Sequence, residues 1–168
     1  MTLILLDLVL TAVLVGADQL LKLWASQVLA PVGSLPLIPH VIELRFILNR
    51  GAAFSMLNGR QALLIAVTSA ALAVVAWMLF AHRGRGMLYR AALVLILGGG
   101  IGNLIDRALN GEVVDYLNLL FMNFAVFNFA DICVCVGVGL LILQILLEER
   151  SGQKQEKENK TGRDNGTA

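Results

Sequence analysis

The chain has 168 residues, of which 58% are hydrophobic and 15% are charged, and its mean hydropathy is +0.78. Soluble domains are about 45–50% apolar. Ten of the 25 charged residues lie in the last 21 positions, so the first 147 residues keep only 15 charges for their surface. This composition excludes a disordered chain, a disulfide-stabilised secreted domain and an ordinary cytosolic enzyme, and it predicts a polytopic membrane protein.

Four apolar stretches are long enough to cross a bilayer, which takes about 20 residues per helix. The sequence therefore predicts a membrane α-helical fold with four transmembrane helices in a domain of residues 1–147. Residues 148–168 are rich in Gly, Gln, Glu, Lys and Asn, which predicts a disordered cytoplasmic tail. The four predicted spans are approximately Leu3–Trp24, Gln61–Ala81, Leu88–Asp106 and Phe127–Leu147.

The basic residues predict the orientation of these spans. The loop 82–90 carries three arginines and the C-terminal tail carries five basic residues, whereas the opposite side carries about four. Because Lys and Arg are enriched in cytoplasmic loops, both termini are predicted to be cytoplasmic. The outer side then holds two segments, about 25–60 and 107–126.

The first outer segment has the character of a small sheet. Val41–Leu48 is rich in β-branched and aromatic side chains and predicts a strand, which Asn49–Gly51 would end as a turn. Prolines and a glycine separate the other short apolar runs of this β-rich segment, about 25–60. We expect a small extracytoplasmic sheet lying on a four-helix bundle.

Ionisable groups at membrane depth are costly, so each of them suggests a function. All of them except Asp7 fall at the outer ends of spans or in the outer loops. Asp18 and Lys22 are one helical turn apart, which favours an ion pair, and Asp106 is interpreted as an ionised structural partner. The outer group consists of Asp18, Lys22, Asp106, Arg107, Asp115 and Asp131.

Asp131 lies about five residues into the fourth span, roughly 7 Å below its start. One interpretation is a carboxylate stabilised by the positive end of the helix dipole. The other is a pair with Asp115, 16 residues earlier on the same outer side. Paired carboxylates in a partly dry site share one proton, so one can activate water while the other polarises a carbonyl. Asn128 would either cap the helix or fix this geometry.

The glycine-rich run Gly98–Gly102 has two interpretations that are compatible with each other. Gly98 and Gly102 have the small-xxx-small spacing that lets helices approach closely. The run could also form the floor of a groove that admits an extended peptide.

Five motifs in chain order resemble the bacterial lipoprotein signal peptidase family, signal peptidase II. The resemblance spans nearly all of residues 14–135, and the order of the motifs on a four-span chain makes it specific. The motifs are Asp18-Gln-Leu-Leu-Lys22, Asn49-Arg-Gly-Ala-Ala-Phe54, Gly98-Gly-Gly-Ile-Gly-Asn-Leu-Ile-Asp-Arg107, Val113-Val-Asp-Tyr116 and Phe127-Asn-Phe-Ala-Asp131.

This resemblance implies an aspartic intramembrane endopeptidase of the bacterial cytoplasmic (inner) membrane, with Asp115 and Asp131 as its dyad and the site toward the outer face. The implied substrate is a prolipoprotein whose lipobox cysteine carries diacylglycerol, cut on the N-terminal side of that cysteine. Globomycin-type cyclic peptides would occupy the same groove, and the outer strands would form a cradle beside the helices. The other residues implied to shape or line the site are Asp18, Lys22, Asn49, Gly51, Gly99, Asn103, Arg107, Asn128 and Ala130.

Other enzyme classes fit the sequence less well. Ser26 lies four residues after Lys22, as a Ser-Lys protease would require, but the lysine base must be neutral and Asp18 favours its charged form. The only histidines, His40 and His82, fall on opposite sides of the membrane, so neither a metal site nor another cofactor is expected.

A non-enzymatic channel or transport subunit, with Asp131 and Lys22 lining a pathway, is the alternative from another class. It would place polar residues across the full membrane depth, whereas the inner halves of spans two and three are almost wholly apolar. No basic stripe with interleaved aromatic residues is present, so nucleic acid is not expected as a partner. Membrane lipid is.

Overall fold

The computed structural model describes residues 2–51, 60–81 and 85–164. Within these ranges the chain forms four helices and three strands, and a π-helical turn, Ala25–Leu29, continues the first helix. In chain order the elements are α1 (Thr2–Trp24), β1 (Ser34–Ile38), β2 (Ile42–Asn49), α2 (Gln61–Ala81), α3 (Met87–Asn110), β3 (Val113–Leu119) and α4 (Phe129–Asp164).

Each helix contains a segment long and apolar enough to cross a membrane, so the prediction of four spans is confirmed. The second span has the predicted bounds, and the others differ by a few residues at one or both ends. The four segments are Leu3–Leu29, Gln61–Ala81, Met87–Asn110 and Phe129–Ser151.

Helix α3 is the centre of the bundle, because α1, α2 and α4 all pack against it. In its most apolar stretch 56% of the residues are buried, against at most 17% in the other three helices. Those three helices therefore present leucine, valine and isoleucine outward, as lipid-facing helices do.

Two glycines of α3 let its neighbours approach closely. A Cβ atom at Gly99 would meet the carbonyl oxygen of Ala130 on α4, and one at Gly102 would meet the carboxylate of Asp18 on α1. A backbone oxygen cannot swing aside, so Gly99 in particular sets how near α4 can come to α3. Helix packing is thus one role of this glycine run.

The three strands form an antiparallel sheet in the order β1-β2-β3. The strand predicted at Val41–Leu48 is β2, and it lies in the centre. β3 lies outside the segment predicted to be β-rich, although its β-branched and aromatic residues Val113, Val114 and Tyr116 carry a strand signal. Pairing with β2 brings Asn49 opposite Val113 and so close to Asp115.

Helix α4 differs from its prediction at both ends. It begins at Phe129, so Asp131 lies in the first turn and not about five residues into the span. At the other end the helix continues to Asp164, where composition predicts a disordered tail from residue 148. Glu, Lys and Gln are good helix formers, and extending an existing helix needs no new nucleation.

The sequence places Arg90 in the loop 82–90, but the structure places it in α3, which begins at Met87. It is buried and pairs with Asp7 of α1. The loop arginines that predict orientation are therefore one fewer than the sequence indicates.

Candidate active site

The first turn of α4 is closed by a reciprocal pair of hydrogen bonds. The Asp131 backbone N–H donates to Asn128 Oδ1 at 3.0 Å, and the Asn128 backbone N–H donates to Asp131 Oδ2 at 3.1 Å. This is a capping box with Asp in the place usually taken by Glu. Capping by Asn128 is the physical reason that the helix starts at Phe129 and that the Asp131 carboxylate lies at its N-terminal end.

Two more distant residues complete the same helix end. The Ala130 N–H donates to Asp18 Oδ1 of α1 at 3.1 Å, and the Phe129 N–H donates to the Tyr116 hydroxyl of β3 at 3.3 Å. Burial raises the pKa of Tyr116 to about 12, so this hydroxyl stays protonated. The position of α4, and with it Asp131, is therefore fixed from both α1 and β3.

Asp115 on β3 is only 2% exposed, and both of its oxygens accept hydrogen bonds from amides. Asn128 Nδ2 donates to Oδ1 at 2.7 Å and Asn49 Nδ2 donates to Oδ2 at 2.9 Å. Burial raises the pKa of Asp115 to about 6. The charge of Asp131 adds to this rise, and the two amide hydrogen bonds oppose it.

Asn49 is itself held in place by the turn that follows β2. Its Oδ1 accepts the Gly51 N–H at 2.9 Å, so the predicted turn at Asn49–Gly51 is present. The amide nitrogen of Asn49 is thereby left to point at Asp115.

Asn103 on α3 connects Asp131 to the charged residues behind the site. Its Nδ2 donates to Asp131 Oδ1 at 2.8 Å, and its Oδ1 accepts from Lys22 Nζ at 2.8 Å and from Asn128 Nδ2 at 3.1 Å. Asn128 also donates to Asp115, so a continuous set of hydrogen bonds links the two aspartates.

Lys22 forms the ion pair with Asp18 that the sequence predicts, at 2.8 Å, and a second one with Asp106 at 3.0 Å. Asp106 also accepts hydrogen bonds from Gln19 and from the Val114 N–H, and it is buried. Its partner is thus Lys22 and not the adjacent Arg107, and its saturated surroundings are those of a structural carboxylate.

The Arg107 guanidinium lines the same cavity as Asp115 and Asp131, and it lacks a full set of hydrogen-bond partners. It donates to the backbone carbonyl of Gly51 at 3.3 Å and to that of Asn103 at 3.5 Å. Its Nε is buried and has no hydrogen-bond partner among the described residues. A buried donor without a partner is uncommon in proteins.

A cavity of about 640 Å³ opens beside these residues, lined by α2, α3 and α4. Its walls are mainly apolar, and Val67 of α2 and Val136 of α4 line it while being exposed at the bundle surface. The cavity therefore opens sideways, toward the space that lipid occupies. Its polar lining consists of Asn49, Thr68, Asn103, Arg107, Asp115 and Asp131.

The geometry at Ser26 does not support a Ser-Lys protease. Its hydroxyl donates to the backbone carbonyl of Lys22 at 2.9 Å and not to the amine. The Lys22 ammonium has three donors and no acceptor, and they are used by Asp18, Asp106 and Asn103.

Among the residues that the structure describes, no three His, Cys, Asp or Glu side chains are grouped so that they could hold a metal ion. His82, one of the two histidines of the sequence, lies outside the described residues.

The predicted site residues fall into two groups. Five of them line the cavity: Asn49, Asn103, Arg107, Asp115 and Asp131. The others do not line it, and they act from behind or from the rim: Asp18, Lys22, Gly51, Gly99, Asn128 and Ala130.

Sequence reasoning missed two features of the site. The capping role of Tyr116 could have been suspected from its place in the motif that carries Asp115. The cavity wall on α2, which includes Val67, Ala71 and Val75, carries no such signal, because these residues resemble any lipid-facing helix residues.

Comparison with known proteins decides the family. A profile described as signal peptidase (SPase) II matches residues 10–147. The chain belongs to the signal peptidase II family. It is 41% identical over 149 residues to the lipoprotein signal peptidase of Symbiobacterium thermophilum, a match that covers 88% of this chain and 98% of the relative. It is 40% identical to the lipoprotein signal peptidase of Streptococcus pneumoniae, covering 86% and 94% of the two chains.

A solved structure agrees with this membership. A bacterial membrane enzyme determined by the in meso method at 2.3 Å resolution superposes with a TM-score of 0.77 and 29% identity, covering 87% of this chain and 90% of that one. The protein is therefore a membrane-embedded peptidase. It has the fold of four helices and a small sheet that its sequence predicts. Membership of a peptidase family supports the enzymatic interpretation and not the channel alternative.

Proposed function

We propose that this protein is an aspartic endopeptidase that removes signal peptides from diacylglyceryl-modified prolipoproteins, cutting on the N-terminal side of the lipidated cysteine. One observation carries the proposal. Asp115 and Asp131 line the same cavity and are joined through the side-chain amides of Asn128 and Asn103. Two carboxylates that share one proton supply both an acid and a base.

The reaction needs only these two groups and a water molecule. The ionised aspartate takes a proton from water, whose oxygen attacks the scissile carbonyl carbon, while the protonated aspartate donates a hydrogen bond to the carbonyl oxygen. When the tetrahedral intermediate collapses, the C–N bond breaks and a proton passes to the amine of the departing cysteine. The dyad then holds one proton again.

The surroundings of the dyad suit a peptide in extended form. The Arg107 guanidinium lines the cavity and already contacts the backbone carbonyl of Gly51, so it can also donate to a carbonyl of the substrate. Globomycin-type cyclic peptides, which offer the same backbone groups, would compete for this cavity.

The sideways opening suits a lipidated substrate. A diacylglyceryl group can remain in the bilayer beside Val67 and Val136 while the peptide enters between α2 and α4. Anchoring of this kind holds the scissile bond at the depth of the dyad, which lowers the entropic cost of reaching the reactive geometry.

The decisive experiment is cleavage of a purified diacylglyceryl-modified prolipoprotein by the purified protein, with the products identified by mass. We expect one cut immediately before the modified cysteine, inhibition by globomycin, and much slower cleavage of the unmodified precursor. Cleavage at another bond, or equal turnover of the unmodified precursor, would contradict the proposal.

The proposal also places the protein in the bacterial inner membrane with both termini in the cytoplasm and the site toward the outer face. Gly84→Cys and Lys160→Cys test this in a background where Cys133 and Cys135 are replaced by serine. Both should resist an impermeant thiol reagent in intact cells. Ser34→Cys on the exposed strand β1 is the matched control and should react; the reverse pattern would invert the orientation.

A further inference from the structure

Asn103 can adopt only one orientation in this site. Its Oδ1 accepts hydrogen bonds from the Lys22 ammonium and from Asn128 Nδ2. If its amide were flipped, its NH2 group would face these two donors, and an ammonium has no acceptor to offer. Its Nδ2 is therefore fixed toward Asp131 Oδ1, at 2.8 Å.

Asp131 is surrounded by groups that favour a negative charge. Its second oxygen accepts the Asn128 backbone N–H at 3.1 Å. It lies in the first turn of α4, where the helix dipole is positive. The guanidinium of Arg107 lines the same cavity as Asp131 and adds a positive charge beside it.

Asp115 has a different environment. It lies on a strand, outside the first turn of α4, and it is almost fully buried. Its two oxygens accept from the neutral amides of Asn49 and Asn128. Burial favours the neutral acid, and it raises the pKa of Asp115 to about 6 although Lys22 and the two amides oppose the rise.

The other charged groups near the dyad do not reverse this difference. On α1 and α3 the Lys22 ammonium is balanced by Asp18 and Asp106, which contact it at 2.8 and 3.0 Å. Tyr116 on β3 is a neutral phenol. Helix α2 contains no charged residue.

We propose that Asn103, held in one orientation by Lys22, is a positioning residue that keeps Asp131 ionised as the base, so that the proton of the resting dyad resides on Asp115. This inference rests on the proposed function. It assigns different tasks to two aspartates that the motif alone does not distinguish.

The pH dependence of kcat tests the assignment, because its acid limb reports the first ionisation of the dyad and its alkaline limb the second. Asn103→Leu removes the donor to Asp131. We expect the acid limb of its pH profile to move upward by about one pH unit. The free energy of a hydrogen bond to a charged group corresponds to about one pKa unit. We expect kcat to fall while KM and the alkaline limb stay unchanged.

Asn49→Leu is the matched variant, because it removes the corresponding donor to Asp115. Asp115 then holds its proton to higher pH, so the alkaline limb should move upward while the acid limb stays in place. If the two variants exchange these effects, the roles of the aspartates are reversed. If neither variant moves a limb, Asn103 is merely structural. Either result overturns the inference, whereas absence of cleavage by the wild-type protein overturns the proposed function.

A second variant is needed in case Asn103→Leu misfolds, since Lys22 and Asn128 each lose one of their acceptors in it. Asn103→Asp is nearly isosteric and keeps that acceptor, but it sets a carboxylate oxygen against Asp131. Its acid limb should also move upward, and an unmoved limb in this folded variant would contradict the inference. Rates are expressed per folded molecule, from the yield and melting temperature of each variant.

Discussion

The two ends of the helix bundle both bury charged side chains, but in different ways. At the end opposite the sheet, Asp7 of α1 pairs with Arg90 of α3, both are buried, and neither lines the cavity. At the sheet end, Lys22 is balanced by two carboxylates in a buried cluster. Asp115 and Asp131 lie just beyond this cluster, on the cavity wall.

The difference between the ends is one of charge balance. The Asp7–Arg90 pair holds one charge of each sign, so it needs nothing further. The sheet end brings together four carboxylates, on Asp18, Asp106, Asp115 and Asp131, against two cations, on Lys22 and Arg107. Buried charge alone therefore does not distinguish the proposed site; an excess of negative charge beside a cavity does, because neighbouring carboxylates in a partly dry site favour sharing a proton.

The largest expected effect on stability comes from breaking the balanced pair. Arg90→Met leaves Asp7 buried without a partner, and we expect a loss of about 3–5 kcal/mol of unfolding free energy. Cleavage per folded molecule should stay near the wild-type rate, because Arg90 does not line the cavity. Asp7→Leu combined with Arg90→Met should recover most of the stability. Loss of specific activity in that double variant would show that this pair also serves the site.

A second prediction concerns the free energy of unfolding, which should fall as the buried Asp115 carboxyl ionises. Its pKa is raised from 3.8 to about 6, so the folded state binds its proton more tightly than the unfolded state does. Its contribution to stability is full below about pH 4 and is lost as the pH rises through 6. At pH 7.5 the loss is on the order of 3 kcal/mol.

Asp115→Asn removes this dependence. The melting temperature of the variant should therefore fall less than that of the wild type between pH 4 and pH 7.5. Thermal unfolding at the two pH values measures this. An equal or larger fall in the variant would mean that the Asp115 carboxylate is stabilised in the fold.

A smaller effect should follow from a methyl group between α3 and α4. Gly99→Ala places its Cβ against the carbonyl oxygen of Ala130, and overpacking of this kind costs about 1–3 kcal/mol. The displaced α4 should also lower kcat, because it carries Asp131. Gly16→Ala in α1 is the control, since nothing lies within 4 Å of its added Cβ, and it should leave both properties unchanged or slightly improve stability. Equal behaviour of the two variants would contradict the claim that Gly99 sets the distance between α3 and α4.

The smallest effect is expected at Ser26. Ser26→Ala deletes one hydroxyl that donates to the Lys22 carbonyl, and cleavage should be within twofold of the wild-type rate. A chelator should likewise leave cleavage unchanged. A tenfold loss in either assay would revive the serine or metal mechanism.

The sequence predicts the fold well where one physical signal dominates. The spans follow from apolar length, and β2 follows from the β-branched and aromatic residues of Val41–Leu48. The start of α4 is less accessible, because it depends on Asn128 capping the helix and not on hydropathy. The tail shows the opposite limit, since composition predicts disorder where α4 continues to Asp164.

The sequence identifies most residues of the site, but it does not predict how they are arranged in space. The sequence places Asp115 and Asp131 on one side of the membrane, and it identifies Asn103 only through family resemblance. The contact of Asp18 with the Ala130 N–H joins residues 112 positions apart. Contacts of this range depend on how α1, α3 and α4 pack, which no local pattern reports.

The most direct test of the central claim is single-turnover cleavage of diacylglyceryl-modified prolipoprotein by Asp115→Asn, Asp131→Asn and the double variant, each shown to be folded in the membrane. Asn fills the space of Asp but cannot accept the proton. We expect each single variant to lose about a thousandfold or more in rate, and the double variant to be no worse, because the two residues act as a unit. Near wild-type cleavage by folded Asp115→Asn or Asp131→Asn would contradict the dyad.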